Sequence, residues 1–329
     1  MSAKRSRAWL RLAQVGVTVG LMGLLLRQVE WSSLPLLIAN LHWGLVVLSI
    51  GLLLFSHLAN VARWQYLLQH WATGYRTLLV FYGAGLFNNN FLPTGFGGDG
   101  VRAALLSRRI PLRWAIFSVG LDRGIGLIAL SALLGIGLWI GLPPGLEPDK
   151  SGLVATFSQS KIVLLVLFLA TAIVLLSLVA WHRLLVLPRA VLDRLTRVTK
   201  SVTLPQWTIG RWFRLLTWGY VVSVLSHLCI VAAYWAMLQA VGIEVLPGAA
   251  VWLVLAVTVS LLFPIAINGL GVQEATYVVI LSAYGVSSTS ALLPALLTRL
   301  ILVAFGLAGG AGWLLSTQPA ETIDSPSKV

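Results

Sequence analysis

The chain has 329 residues, of which 58% are apolar and 10% charged, with a net charge of +13 and a mean hydropathy of +0.90. Soluble domains average about 45–50% apolar and about 25% charged residues. The composition therefore excludes an ordinary soluble enzyme, a disordered chain and a nucleic-acid-binding arm, and it predicts an integral membrane protein. In such a protein the excess of positive charge is first a topology signal, because Lys and Arg accumulate in cytoplasmic loops.

Six apolar stretches are long enough to cross a bilayer, which takes about 20 residues. The first follows a basic start and resembles a signal peptide, but no small-residue cleavage site comes after it, so we expect an uncleaved span. Arg63 and Arg76 are expected to follow the second span on the cytoplasmic side. The first predicted span ends near residue 26. The other five cover about residues 43–62, 114–140, 162–181, 215–238 and 291–315.

Two further apolar stretches are interrupted. Residues 77–92 stop at Pro93, and a glycine-rich loop then leads to a short apolar helix that ends near residue 106. Basic clusters flank this segment on both sides, so a single crossing would place one cluster outside. A re-entrant hairpin satisfies the positive-inside rule and is tolerated where protein or water solvates the irregular backbone. Residues 249–267 contain Pro264 and are followed by another apolar helix that ends near residue 284. Together they form the second predicted hairpin, although residues 249–267 are also long enough to span.

The two interrupted segments resemble each other. In each, a proline precedes a glycine-bearing loop and then an acid at a new helix, Asp99 in the first segment and Glu274 in the second. One hairpin would enter from the cytoplasm and the other from outside. Paired interruptions of this kind are the best sequence pointer to a transporter's midplane site. The predicted fold class is an all-α polytopic membrane helix bundle with about six full spans and two re-entrant helical hairpins, a candidate inverted repeat.

The distribution of basic residues predicts a multi-pass protein with cytoplasmic termini. We expect the membrane to be a bacterial inner membrane. Only Arg27, Lys150 and Lys161, of 23 basic residues, fall outside in this topology. The connection 183–214 is basic throughout; it either carries only the topology signal or lies as a helix on the anionic cytoplasmic surface. Residues 1–316 are predicted to be a single transmembrane domain, and residues 317–329 a disordered polar tail.

Few residues are of the types that build metal or nucleophilic sites. The single cysteine, Cys229, excludes a disulfide framework and a cysteine-based metal site. None of the five histidines forms a ligand pair at helical spacing, and motifs for nucleotide binding, serine hydrolysis or zinc proteolysis are absent from the sequence. We therefore expect no cofactor and no metal. Several of the 14 tryptophans lie at the ends of apolar runs, as is typical of a bilayer interface.

Six ionisable residues lie within or beside the apolar segments. A charge at the bilayer centre costs about 2.5–3.5 kcal/mol on insertion scales, so these residues must pair or face water. They either lock helices together or line a polar groove. Neighbouring positions on a helix point about 100° apart and should serve different partners, whereas positions three apart can share a face. The six are Asp99, Arg102, Asp122, Arg123, Glu274 and Arg299.

The glycines of both loops are candidate binding positions. Gly97 and Gly98 come just before a predicted helix, where free backbone N–H groups and the partly positive helix start favour an anion. With Arg102 one turn further, this pattern predicts a phosphate seat; the alternative is that Asp99 caps the same amides. In the second segment Gly269 and Gly271 take the corresponding places. Pro93 and Pro264 are the predicted breaks, or hinges, of the two re-entrant segments.

Three runs together carry a family resemblance, Leu92-Pro93-Thr94-Gly95-Phe96-Gly97-Gly98-Asp99-Gly100-Val101-Arg102, Leu121-Asp122-Arg123 and residues 263–274. Over about residues 8–316 the chain resembles the lysylphosphatidylglycerol synthase transmembrane-domain family, also called flippase-like. The resemblance implies a polytopic bundle that moves lipids between leaflets, with aminoacylated phosphatidylglycerol and other anionic or isoprenoid lipids as substrates. Arg102, Arg123 and Glu274 fall on the family's charged motif positions, and Asp99 stands where the family more often has Glu. Aminoacyl-transferring members carry a large soluble carboxy-terminal domain, so transferase activity is not expected here.

Three functions follow from these observations. The first is a lipid translocase that passes a phosphate-bearing lipid, anionic or isoprenoid, through a polar intramembrane groove lined by the six charges. Since the sequence has no ATP-binding motif, such transport would be passive or ion-coupled. The second is a membrane-embedded transferase with Asp99 or Glu274 as the base. The third is a non-catalytic partner that docks a lipid-modifying enzyme through residues 183–214. The translocase is our prediction.

Overall fold

The computed structural model describes residues 34–71, 73–92, 97–144, 209–262 and 266–316, with isolated positions 16, 18, 20–25, 27 and 32. Every regular element in these ranges is a helix. Short 3-10 turns lie at Gln69–Trp71 and Ile267–Gly269. The α-helices are α1 (Leu34–Ala39), α2 (Trp43–Leu67), α3 (Tyr75–Asn89), α4 (Gly97–Leu106), α5 (Leu112–Ile140), α6 (Ile209–Ala240), α7 (Pro247–Leu262), α8 (Val272–Ser282) and α9 (Ser288–Leu315).

Four of these helices are long and apolar enough to cross a membrane: α2, α5, α9 and the Arg214–Ala240 part of α6. They coincide with four of the six predicted spans, which confirms an all-α, multi-pass integral membrane protein. The first predicted span is described only at isolated positions, and residues 162–181 lie outside the described residues. Most of the basic connection 183–214 and the tail 317–329 also lie outside them.

Contacts between helix ends define the two ends of the bundle. The end of α2 lies beside the start of α5, where the rings of Trp71 and Trp114 are 6.4 Å apart. At the other end, the His42 N–H donates a hydrogen bond to the Ala240 carbonyl at 3.0 Å. We call the end with Trp71 and Trp114 the basic end, because the helices and loops there carry Arg76, Arg108, Arg109, Arg113 and Arg214.

The two interrupted segments form helical hairpins that enter from opposite ends of the bundle. The α3–α4 hairpin connects the ends of α2 and α5 at the basic end, and the α7–α8 hairpin connects α6 and α9 at the other end. Helices of 15, 10, 16 and 11 residues are about 15–24 Å long, short of the roughly 30 Å hydrocarbon core. The two members of each hairpin pack together, and α9 packs against both α3 and α8.

Small residues allow α3 and α9 to approach closely. A Cβ atom placed on Gly83 would lie 2.8 Å from the Cα atom of Gly309, so neither position tolerates a larger residue without a shift. Close contact at glycine is the usual way in which helices pack inside a membrane, where lipid tails are as apolar as leucine. Through this crossing the first hairpin is fixed against the last span.

Candidate functional site

Five charged side chains from α2, α4 and α5 form one continuous series of ion pairs, which we call the ion-pair chain. It begins with Arg63, whose Nε donates to Asp122 Oδ1 at 2.8 Å. Arg102 donates from Nη2 to Asp122 Oδ2 at 3.2 Å and from Nη1 to Asp99 Oδ1 at 3.3 Å. Arg123 closes the series with Nε 2.6 Å from Asp99 Oδ2 and Nη2 3.1 Å from Oδ1. Three guanidinium groups face two carboxylates, so the net charge is +1.

The helical positions of these residues explain their pairing. Asp122 and Arg123 are neighbours on α5 and bind different partners, Asp122 the two arginines Arg63 and Arg102, and Arg123 the carboxylate of Asp99. Asp99 and Arg102 are one turn apart on α4 and share a face. Both arrangements follow from the 100° rotation per residue, as the sequence analysis predicted.

Arg102 lies at the centre of the ion-pair chain and is enclosed. Its guanidinium carbon is 4.1 Å from the ring centroid of Trp64 and 4.8 Å from that of Tyr82, within the range of cation–π attraction. The side chain is 4% exposed, and its buried Nε has no hydrogen-bond partner among the residues that the structure describes. Arg102 therefore holds two carboxylates and two aromatic rings together and has no open face toward a ligand.

The position of Arg63 corrects the sequence analysis, which placed it after the second span. Helix α2 continues to Leu67, because Trp64 and Leu67 are both buried against neighbouring helices. Arg63 is consequently buried too, and its Nη1 donates a second hydrogen bond to the Ser223 hydroxyl of α6. A basic residue just beyond an apolar run is ordinarily a topology signal, but here the partner Asp122 stabilises it inside.

Arg123 is the accessible member of the ion-pair chain. Its side chain is 49% exposed, compared with 3–10% for the other four. Its Nη1 makes no hydrogen bond to the residues that the structure describes. Cβ atoms placed on Gly100 of α4 and Gly124 of α5 would meet nothing within 4 Å, so both helices are open at these two positions. Because Arg123 is 11 positions into α5, it lies about 17 Å from the helix start, deep in the spanning region.

The predicted phosphate seat at the start of α4 is filled by the protein's own groups. The Gly98 N–H donates to the Asn89 Oδ1 of α3 at 2.6 Å, and a Cβ on Gly98 would lie 2.7 Å from Asn89 Cγ. A Cβ on Gly97 would lie 2.7 Å from Leu92 Cβ. These glycines let the hairpin close tightly. Asp99 binds arginines and does not cap the amides, contrary to that alternative, and Pro93 lies outside the described residues.

A second cluster, which we call the Arg299 clamp, lies at the tip of the α7–α8 hairpin. Arg299 of α9 donates from Nε to Glu274 Oε1 of α8. Its Nη2 also donates to Gln273 Oε1 and to the Gly269 carbonyl, both at 3.0 Å, and its Nη1 to the Asn268 carbonyl at 3.1 Å. Glu274 is completely buried. One guanidinium thus ties the tip of the hairpin to the last span.

The backbone of this tip requires the residues found there. Asn268, Gly269 and Gly271 have φ values of 49°, 65° and 82°, a left-handed region that glycine and asparagine enter most readily. The turn directs the carbonyls of Asn268 and Gly269 to Arg299, and the Gly271 N–H donates to Glu274 Oε2 at 2.8 Å. Asn268 Nδ2 also donates to Asn90 Oδ1 at 3.3 Å, which joins the two hairpins. Pro264 lies outside the described residues.

The predicted charges therefore form two clusters. Asp99, Arg102, Asp122 and Arg123 come together with Arg63, and Glu274 pairs with Arg299. None of the ion pairs among the described residues joins the two clusters. An open cavity of about 580 Å³ lies elsewhere, at the end opposite the basic end. The described residues contain no group of three His, Cys, Asp or Glu side chains that could hold a metal ion.

A family model described as lysylphosphatidylglycerol synthase TM region matches residues 11–310. The match includes eight of the nine described helices completely and all but the last few residues of α9. No curated protein and no solved structure matches the chain in the corresponding comparisons. The family match and the helical membrane architecture identify a membrane protein associated with lipids. The chain belongs to the lysylphosphatidylglycerol synthase transmembrane-region family.

Proposed function

We propose that the protein is a lipid translocase and that Arg123 binds the headgroup phosphate of the lipid that it moves. The observation that carries this proposal is the half-exposed side chain of Arg123, deep in a spanning helix, at the end of an otherwise buried ion-pair chain. An uncompensated charge at that depth costs about 2.5–3.5 kcal/mol on insertion scales. An exposed arginine there needs water or an anion, and phosphate is the anion that lipids supply.

The geometry favours Arg123 over the other cations of the bundle. Arg63 and Arg102 are 4–7% exposed at their side chains and are already bound to Asp122. Arg299 is surrounded by Glu274 and the carbonyls of the hairpin tip. Arginine binds phosphate through paired, charge-assisted hydrogen bonds. Arg123 can present its free Nη1 at once and its remaining N–H groups when Asp99 releases them.

Binding of a phosphate would alter how the helices are joined. Asp99 belongs to α4 and Arg123 to α5, so their ion pair is a bridge between the first hairpin and a spanning helix. A phosphate competes with Asp99 for Arg123, while Asp99 keeps its bond to Arg102 on its own helix. Each headgroup that binds therefore weakens the α4–α5 contact, and each release restores it. This exchange couples occupancy of the site to movement of the hairpin.

The remaining features of the proposal follow from the sequence. Transport is passive or ion-coupled, the termini and the basic end are cytoplasmic, and the membrane is a bacterial inner membrane. The transferase alternative is less well supported, because a general base must reach its substrate. Glu274 is completely buried and Asp99 is occupied by two guanidinium groups. Docking of a lipid-modifying enzyme through residues 183–214 stays a prediction.

The test is lipid exchange in liposomes that contain the purified full chain. Lipids with a fluorescent acyl chain are bleached from outside by a membrane-impermeant reductant, and the second phase of the bleaching reports movement between leaflets. Charge-assisted hydrogen bonds contribute about 1.5–3 kcal/mol, so Arg123→Ala should slow this phase about 10- to 100-fold. Arg123→Lys should retain part of the rate. The matched control is Arg109→Ala, which removes an exposed arginine at the basic end.

Two results would contradict the proposal. One is a second phase in wild-type liposomes that is no faster than in protein-free liposomes. The other is an Arg123→Ala rate equal to that of wild type and Arg109→Ala, with all three proteins shown to be folded by their thermal unfolding in detergent.

A further inference from the structure

Among the described residues, the two charged clusters inside the bundle together carry one more positive than negative charge. In the ion-pair chain the three positive groups Arg63, Arg102 and Arg123 face the two negative groups Asp99 and Asp122, which leaves one positive charge. The Arg299 clamp is neutral, since one guanidinium faces one carboxylate. Among the described residues the interior of the bundle therefore has room for one compensating negative charge.

Only one of the three arginines of the ion-pair chain is accessible to a compensating anion. Four members of the ion-pair chain are buried and held on two or more sides, whereas Arg123 is 49% exposed at its side chain. A ligand that neutralises the excess must therefore bind at Arg123. Before a ligand binds, both oxygens of Asp99 accept hydrogen bonds from arginines, so the accessible group of the pair is the guanidinium of Arg123. The site is therefore open first to an anion, the phosphate.

We infer that the ligand at Arg123 is a lipid phosphodiester with one negative charge, and that lipid phosphate monoesters and diphosphates are disfavoured. This inference rests on the proposed function and narrows its substrate. A phosphodiester brings the ion-pair chain to neutrality. A dianionic monoester or a diphosphate either brings a further negative charge into a region of low dielectric, where no described cation is free to meet it, or must first take up a proton, which is unfavourable above the second phosphate pKa of about 6. Uncompensated buried charge is strongly unfavourable.

Asp99 limits the ligand to one negative charge, because its carboxylate cancels one of the three positive charges of the ion-pair chain. Asp99→Asn raises the net charge of the ion-pair chain from +1 to +2 and frees the Nε and Nη2 groups of Arg123. The variant should therefore accept a dianionic headgroup that the wild type rejects. Asp99→Glu keeps the charge and is the matched control. A residue that only held helices together would change stability and would not change which phosphate is preferred.

The experiment compares three lipids with identical labelled acyl chains in liposomes of the full chain at about pH 8, where a monoester phosphate is largely dianionic. The lipids are phosphatidylglycerol, phosphatidic acid and diacylglycerol diphosphate. Wild type and Asp99→Glu should move phosphatidylglycerol at least about ten-fold faster than the other two. Asp99→Asn should reduce that preference to about three-fold or less, or reverse it. One uncompensated charge justifies differences of this size.

The outcomes separate this inference from the proposed function. Equal rates for the three lipids in wild type, or a faster monoester, would overturn the single-charge inference while leaving lipid translocation intact. Rates no faster than in protein-free liposomes for every lipid would overturn translocation itself. An unchanged preference in folded Asp99→Asn would also overturn the role of charge. If Asp99→Asn does not fold, the wild-type comparison still decides the question.

A soluble competitor distinguishes a lipid from a free ester. Glycerophosphoglycerol, which has the same phosphodiester and lacks acyl chains, is added at millimolar concentration. An unchanged rate for phosphatidylglycerol supports recognition of the ester on a lipid. A rate that falls to half or less would show that the free ester occupies the site, and it would overturn the assignment to a lipid.

Discussion

Asp122 should be the residue on which the stability of the ion-pair chain depends most. It is 2% exposed and accepts hydrogen bonds from Arg63 at 2.8 Å and Arg102 at 3.2 Å. Asp122→Asn preserves the shape and removes the charge. Arg102 keeps Asp99, but Arg63 is left buried without a counter-charge, with only neutral acceptors such as the Ser223 hydroxyl and the new amide oxygen. Removing one partner of a buried ion pair costs about 3–5 kcal/mol, and we expect a loss in unfolding free energy within that range.

The measurement is the unfolding free energy in mixed micelles, obtained by titration with a denaturing detergent and followed through tryptophan fluorescence. Arg109→Met, on an exposed loop, is the control and should change stability by less than about 0.5 kcal/mol. The double variant Arg63→Met with Asp122→Asn removes the unpaired cation, and Ser223 keeps its bond to the Gly219 carbonyl. The double variant should be at least about 1.5 kcal/mol more stable than the sum of the two single losses. Strict additivity would refute the ion pair as the cause.

Two further variants test the packing of the hairpins, each against a matched partner. Gly83→Ala places a Cβ 2.8 Å from Gly309 Cα and should cost about 1–3 kcal/mol of unfolding free energy. In the matched variant Gly100→Ala the new Cβ meets open space, so the unfolding free energy should not fall. Equal losses of unfolding free energy in Gly83→Ala and Gly100→Ala would argue against the close crossing of α3 and α9. At the tip, Asn268→Ala should be about 1–2 kcal/mol less stable than Asn268→Gly, because alanine is strained at φ 49°. Both lose the hydrogen bond to Asn90, so a smaller difference would contradict the left-handed backbone.

The spanning helices could be predicted because length and hydropathy alone determine them. The predicted spans at 43–62, 114–140, 215–238 and 291–315 correspond to helices α2, α5, α6 and α9. The hairpins could be predicted from flanking charges and from proline and glycine, which act locally. The predicted start of α4 was later than observed, since Gly97 and Gly98 belong to the helix itself. Their role in packing against α3 could not be foreseen without the partner helix.

The sequence predicted which charged residues belong to the candidate site, apart from Arg63, but not which of them are buried or accessible. The sequence identifies six charges in apolar surroundings but contains no information on which guanidinium is enclosed. Arg102 is buried because Trp64 of α2 and Tyr82 of α3 lie on its faces, a contact between three separate elements. Arg63 had a signal that was missed. It follows the buried Ser49 and Ser56 at intervals of seven, a spacing that places all three on one face of α2.

The helix-lock alternative describes the buried residues of the ion-pair chain, and the polar-groove alternative, under the proposed function, concerns Arg123. Arg63, Asp122 and Arg102 are buried and join α2, α4 and α5, as a lock requires. Arg123 is attached to that lock through Asp99 and is held in place at the accessible end. A binding group is most effective when its neighbours fix its position before the ligand arrives. The buried pairs therefore supply the rigidity that a single exposed arginine needs at membrane depth.

The second cluster has a different task, because it leaves no cation accessible. The Arg299 clamp fixes the turn at Asn268, and the side chain of Asn268 reaches Asn90 near the tip of the first hairpin. The two hairpins thus meet tip to tip, and both tips contact α9, the second through the Arg299 clamp and the first through Asn90 beside Gly306. When a phosphate displaces Asp99 from Arg123, the freed element is α4, which has no comparable clamp to α9. Movement should therefore be confined to α4, and α3 and the second hairpin should act as its fixed support.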